Sequence, residues 1–129
     1  MLNMANYLIS GVFFEKLVNK TKVEQKPVMY SGWIQDDTTG KHKWWGEMSD
    51  IYGKSKLYDP IITPSELSFL KMYDNRSRFD EGIIYFFKPK GLIWVGTYTL
   101  VPGSKDGHRG VSKCVLNKLP EDFLFSSGK

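Results

Sequence analysis

Few side chains in this sequence have the types and spacing that catalysis or metal binding requires. The two histidines, His42 and His108, lie in polar segments, and neither has a serine or cysteine partner in a recognisable motif. The single cysteine, Cys114, lies in the apolar run VSKCVL, which is typical of a buried small side chain. One cysteine and two histidines provide neither a disulfide framework nor a cysteine-rich zinc site. We therefore expect no catalytic group, no metal and no cofactor.

Two carboxylates, Glu47 and Asp50, are close enough in the sequence to suggest a pair for acid–base chemistry. They are three residues apart, however, and side chains at that spacing point to opposite faces of an extended strand. We expect both to be solvated charges. An enzyme is still an open alternative, because a cavity lined with tyrosine, aspartate and arginine can carry hydrolase or isomerase chemistry without a readable motif.

Basic side chains cluster in two segments that have the composition of loops. DNRSRFDEG contains Arg76 and Arg78, and PGSKDGHRG contains His108 and Arg109. The glycines of the second segment would let backbone N–H groups fold around an anion. Guanidinium groups pair well with carboxylate and phosphate. We expect these four residues to bind the acidic group of a ligand; the alternative is that both segments are ordinary solvated hairpin loops.

The adjacent tryptophans Trp44 and Trp45 complete the predicted ligand-binding residues. In a strand, one member of such a pair faces inward and the other outward. An exposed tryptophan indicates a binding surface, because tryptophan is common among interface hot spots. The alternative is that one of the two packs in the core and the other lies under a loop. Trp33 and Trp94 belong to stronger apolar runs, and we expect both in the core.

The elements that must position these residues read as short β-strands. Segments rich in turn residues separate the strands, and none is long enough to hold a crossover helix, so the sheet should be antiparallel. Only TPSELSFLKMYD begins like a helix, but its alternation of side chains favours a strand. The predicted strands lie near residues 6–16, 27–35, 43–50, 54–62, 66–73, 82–89, 92–101 and 111–118.

Glycines within these strands indicate how the sheet is arranged. Gly32, Gly46 and Gly96 lie in YSGWI, WWGEM and WVGTY, where a glycine weakens a strand. Closing a sheet into a small barrel requires strongly coiled strands, and glycines or bulges supply the bends. The sequence therefore predicts an all-β fold, a single antiparallel up-and-down barrel of eight strands. The alternative is a β-sandwich with ordinary bulges.

The composition is that of one globular domain. The chain has 129 residues, 41% hydrophobic and 25% charged, and its net charge of +4 is spread without a long basic block. We expect a single barrel domain over residues 1–129 with an ordered core at about 6–125. No secretory pattern is present, and no apolar run approaches the ~20 residues that a membrane span needs. We expect a cytoplasmic protein without a membrane partner.

An eight-stranded meander of this length that opens with ISGVF resembles the calycin-like barrels: lipocalins, fatty-acid-binding proteins and avidins. Lipocalins typically carry Gly-x-Trp on the first strand, with a basic residue from late in the barrel lying over that tryptophan. Gly11 and Phe13 hold the Gly-x-aromatic positions here, and Arg109 or Lys113 could supply the cation. The resemblance covers about residues 6–118 and implies a barrel with a cavity, but no particular ligand.

These features suggest functions of three classes. The first is a non-enzymatic binding protein that holds a small, partly apolar or acidic ligand inside the barrel. The alternative is a small protein-interaction module or inhibitor, of phage or plasmid type, that acts through an aromatic and basic surface. Nucleic-acid binding is the third, and the modest charge and the lack of an RNP-type motif argue against it. The sequence does not predict the oligomeric state.

Overall fold

The chain folds into a closed antiparallel β-barrel. The computed structural model describes residues 5–19, 22–36, 44–75, 82–100 and 109–120. Its strands pair in chain order, and the last strand pairs with the first. They are β1 (Ala5–Asn19), β2 (Lys22–Asp36), β3 (Gly46–Asp50), β4 (Gly53–Ile62), β5 (Leu67–Tyr73), β6 (Ile83–Lys90), β7 (Ile93–Leu100) and β8 (Arg109–Lys118).

The closed sheet confirms the predicted eight-stranded up-and-down barrel, and the sandwich alternative is wrong. A sandwich would leave free strand edges, whereas β8 pairs with β1 from Tyr7↔Lys118 to Phe13↔Ser112. The architecture is compatible with the calycin-like resemblance. Among the described residues, no helix is long and apolar enough to cross a membrane.

The strand predictions were right in number and differ mainly at the strand ends. β1 and β2 are longer than expected, because pairing continues past the apolar positions to Asn19↔Lys22. The ambiguous segment around Leu67 is strand β5, as its alternation predicted. The tail segment LPEDFLF has the composition of a single helical turn, and its Phe123 and Phe125 lie outside the described part of the chain.

Alternation of side chains builds a filled interior. On β5, Leu67, Phe69, Lys71 and Tyr73 are buried, while the residues between them are half-buried. Aromatic rings pack against one another in the core. The ring centroid of Tyr85 is 5.0 Å from that of Phe69 and 5.9 Å from that of Phe87. The buried hydrophobic side chains are at most 6% exposed, which leaves no space for a water molecule beside most of their surface.

Glycines on the inward face make room for this packing. A β-carbon on Gly11 would lie 2.6 Å from the Tyr30 ring, so a larger residue would displace that ring. On Gly96 a β-carbon would collide with the backbone of Phe86 and Phe87 on the neighbouring strand. The glycines that break up the sequence pattern therefore serve close approach within the barrel, as well as the curvature for which they were predicted.

Candidate functional site

The two adjacent tryptophans lie in different environments. Trp45 is only 6% exposed, and its backbone is fixed by hydrogen bonds from its N–H to the carbonyl of Leu57 (2.8 Å) and from the N–H of Gln35 to its own carbonyl (2.7 Å). Trp44 is half-buried, and its ring centroid is 6.0 Å from that of Trp33. Trp33 follows the inward-facing Gly32 on β2 and so lies on the outside, which corrects its prediction as a core residue.

A cation of the protein itself lies over the ring of Trp44. The ammonium of Lys56 lies 5.0 Å from the centre of the Trp44 ring. It also forms ion pairs with Glu47 at 3.3 Å and Asp74 at 3.1 Å. Because Lys56 already has these partners, the arrangement is explained as a packed surface cluster without a ligand.

Three of the six predicted ligand-binding residues, Trp44, Trp45 and Arg109, lie in the described part of the chain. Arg109 is exposed at the start of β8, paired with Thr99. The alternating strand directions place it at one end of the barrel and the Trp44–Trp45 segment, which leads into β3, at the other. Arg76, Arg78 and His108 lie outside the described residues, and their role stays a prediction.

A buried cation that the sequence analysis did not assign lies inside the barrel. The ammonium of Lys71 donates to Asp50 Oδ2 at 2.7 Å and to the hydroxyl of Tyr73 at 2.9 Å. The Tyr73 hydroxyl donates to the same carboxylate oxygen at 2.6 Å, and the N–H of Tyr52 donates to Asp50 Oδ1 at 2.8 Å. The side chains of Lys71 and Asp50 are both 0% exposed. The pair is therefore sealed from water.

This pair corrects one expectation and confirms another. Asp50 was expected to be solvated, and that is wrong. Glu47 and Asp50 do point to opposite faces, as their spacing predicted, because Glu47 faces outward toward Lys56 while Asp50 faces inward toward Lys71. The signal for Lys71 was present in the sequence, since it alternates in register with Leu67 and Phe69.

Burial and charge act in opposite directions on this cluster. Burial lowers the pKa of Lys71, and the carboxylate of Asp50 opposes that change. Burial, and then the hydrogen bond to Asp50, raise the pKa of Tyr73.

The Lys71 ammonium also lies 5.1 Å from the ring centre of Phe13. Lys71 thus supplies a cation beside the Gly-x-aromatic position, where the lipocalin resemblance suggested Arg109 or Lys113.

Cys114 is a buried thiol, as predicted. It is 3% exposed, and burial raises its pKa from 9.0 to about 12. A raised pKa means less thiolate at any pH below it. At about pH 8 we expect the folded protein to react with an alkylating agent at least about 1,000-fold more slowly than the unfolded chain. Mass spectrometry of the alkylated protein with and without denaturant measures both rates, and equal rates would show that the thiol is accessible in the fold.

The outer surface carries an exposed apolar area on β7, β8, β1 and β2. Met29 is 68% exposed, and further aliphatic side chains on these strands are exposed or half-exposed beside it. Between β2 and β7 they surround a surface depression of about 230 Å³ whose lining is almost wholly apolar. We call this surface the apolar wall, and its aliphatic residues are Leu8, Val12, Met29, Ile93, Val111 and Val115.

The basic side of the apolar wall is formed by the last strands of the barrel. β6, β7 and β8 contain five basic residues and no acidic one, whereas β1 and β2 contain three of each. Lys113 lies within the wall, paired across the sheet with Val12 and Val95, and no ion pair to it is found among the described residues. The basic residues, all exposed, are Lys88, Lys90, Arg109, Lys113 and Lys118.

Comparisons with protein-family models and with curated proteins find no match to this sequence.

Proposed function

We propose that this protein is a small interaction module that binds an acidic protein partner through the apolar wall. The observation that carries the proposal is the combination of exposed aliphatic side chains on four neighbouring strands with basic residues on β6, β7 and β8, where no acidic residue lies. Soluble monomers rarely leave such apolar areas open unless another molecule covers them. This corresponds to the alternative function suggested by the sequence, with exposed aliphatic side chains in place of the tryptophans as the apolar part of the surface.

The chemistry of the wall favours a protein over other macromolecules. Its exposed side chains are aliphatic, whereas single-stranded nucleic acid is bound by rings that stack on bases. Lys113 lines the same depression as these aliphatic side chains, so the surface presents a cation beside an apolar contact. A protein can offer an apolar side chain and a carboxylate together. A second copy of the same wall would bring like charges into contact.

The pairing of the strands limits how a partner can bind at the apolar wall. From Tyr7 to Phe13, β1 is paired on both sides, with β2 and with β8, so a partner cannot add a strand there through backbone hydrogen bonds. Binding at this part of the wall must therefore use side chains on the face of the sheet. Exposed Met29, which projects beside the depression, is then the first candidate for an anchoring side chain.

The binding of a small ligand inside the barrel stays a prediction. The core side chains and the Lys71–Asp50 pair are packed inside the barrel, so a ligand among them would have to displace packed side chains. The ends of the barrel are the remaining places for such a ligand, and the predicted basic residues that could hold it there include Arg109.

Photo-crosslinking from the wall tests the proposed function. A photoreactive amino acid replaces Met29 in one protein and Ile61, which is exposed on β4, in the control. We expect an adduct to one acidic protein from position 29 only. The purified partner should then bind the wild-type protein, more weakly as salt rises and at least about tenfold more weakly to Met29→Asp than to Ile61→Asp.

Three outcomes would contradict the proposal. Adducts could form equally from both positions, or the purified partner could bind Met29→Asp and the wild type with the same affinity. The protein could instead sediment with vesicles of phosphatidylcholine and phosphatidylserine, or bind duplex DNA, in a way that Met29→Asp abolishes. That last result would assign the wall to a lipid or nucleic-acid partner.

A further inference from the structure

We infer that the apolar wall recognises a segment in which an apolar side chain and a carboxylate lie side by side. The apolar side chain fills the depression and the carboxylate pairs with Lys113. This inference rests on the proposed function and adds to it the chemical pattern that the partner must present.

The depression is built to receive an apolar side chain. The small residues Ser10 and Gly11 line it together with larger aliphatic side chains from the neighbouring strands. Met29 and Ile93 contribute from β2 and β7, on opposite sides of the pair β1 and β8. Of the lining surface almost nothing is polar, so a polar side chain placed there would lose its hydrogen bonds to water.

Lys113 requires a carboxylate once the wall is covered. It lines the same depression, and its neighbours across the sheet are Val12 on β1 and Val95 on β7. Lys56, by contrast, is held by two carboxylates of the protein itself. A partner that covered the Lys113 ammonium without pairing it would desolvate an uncompensated charge, which is strongly unfavourable. The partner must therefore place an Asp or Glu next to its apolar side chain.

Matched control positions for the wall residues lie on β4, on the other side of the barrel. Lys54 on β4 is exposed, so Lys54→Glu changes the net charge by the same amount as Lys113→Glu. Ile61 serves in the same way for Met29. A loss of binding that a wall variant shares with its control reflects overall charge or solubility. A loss seen only in the wall variant, Lys113→Glu or Met29→Asp, shows that binding uses the apolar wall.

Selection from a phage-displayed library of random linear peptides on the immobilised wild-type protein tests the inference. We expect enriched peptides with Asp or Glu within a few residues of Leu, Ile, Met or Phe. By fluorescence anisotropy, their affinity should fall at least about tenfold for Lys113→Glu and for Met29→Asp, and by less than about twofold for Lys54→Glu and Ile61→Asp.

The outcomes separate this inference from the proposed function. Enriched peptides that lose affinity for Met29→Asp but not for Lys113→Glu, or that lack acidic residues, would overturn the inference and leave the wall as the binding surface. Peptides that bind all four variants equally would contradict both, because the wall would then not be the preferred surface. Failure to enrich any peptide would overturn the inference, since a short segment would not carry the recognition pattern.

Discussion

Replacing Lys71 with methionine should lower the free energy of unfolding by about 3–5 kcal/mol. The change leaves the Asp50 carboxylate fully buried without the ammonium that compensates its charge, and it removes a hydrogen bond to the Tyr73 hydroxyl. Attraction between the two charges offsets the cost of taking both out of water, so removal of one partner exposes that cost. Urea unfolding followed by tryptophan fluorescence measures the loss.

A set of variants distinguishes this explanation from a simple packing defect. The triple variant Asp50→Leu, Lys71→Met, Tyr73→Phe removes every charge and hydroxyl of the cluster, and we expect it to unfold within about 1–2 kcal/mol of the wild type. Lys54→Met, which removes an exposed ammonium from β4, should change stability by less than about 0.5 kcal/mol. A triple variant that is less stable than Lys71→Met would contradict the account of the cluster.

Replacing Gly96 with valine should cost about 3 kcal/mol or more of unfolding free energy. The new β-carbon would meet the carbonyl oxygen of Phe86 and the Cα of Phe87, which belong to the paired strand β6 and cannot rotate away. Relief of the clash would therefore require separating β6 from β7. Thermal unfolding followed by circular dichroism measures the loss.

The neighbouring variant Thr97→Val is the matched control. Thr97 is on the same strand, but it is exposed on the outer face, so valine there meets no backbone. We expect this variant to be within about 0.5 kcal/mol of the wild type. A cost for Gly96→Val below about 1 kcal/mol would show that the two strands are not packed as closely as the structure has them.

The fold could be predicted because local sequence patterns determine where the strands lie and how consecutive strands pair. Alternation of side chains identified each strand, and connectors too short for a crossover helix required antiparallel order. Gly32 and Gly96 then pointed to curvature. Whether the sheet closes depends on pairing between β1 and β8, which are far apart in the sequence, and the residue pattern alone left the sandwich open.

The functional surfaces were harder to predict, because the register of each strand decides which of its side chains point outward. Trp33 and Trp44 suggested a core position and an exposed binding residue, yet they share one outer cluster with Lys56. The apolar wall combines outward residues such as Met29 and Ile93 from strands at both ends of the chain. No short sequence window contains that pattern, so only the closed barrel brings it together.

Chemical-shift mapping by NMR tests the central claim that the barrel binds through its outer face while its interior stays packed. The titrant is an acidic–apolar peptide selected on the wild-type protein. We expect the amide signals of Val12, Met29, Ile93 and Lys113 to shift in proportion to bound peptide, while the signals of Lys71 and Tyr85 stay in place. Shifts concentrated at Lys71 and Tyr85, with the wall unchanged, would contradict the account and assign binding to the interior of the barrel.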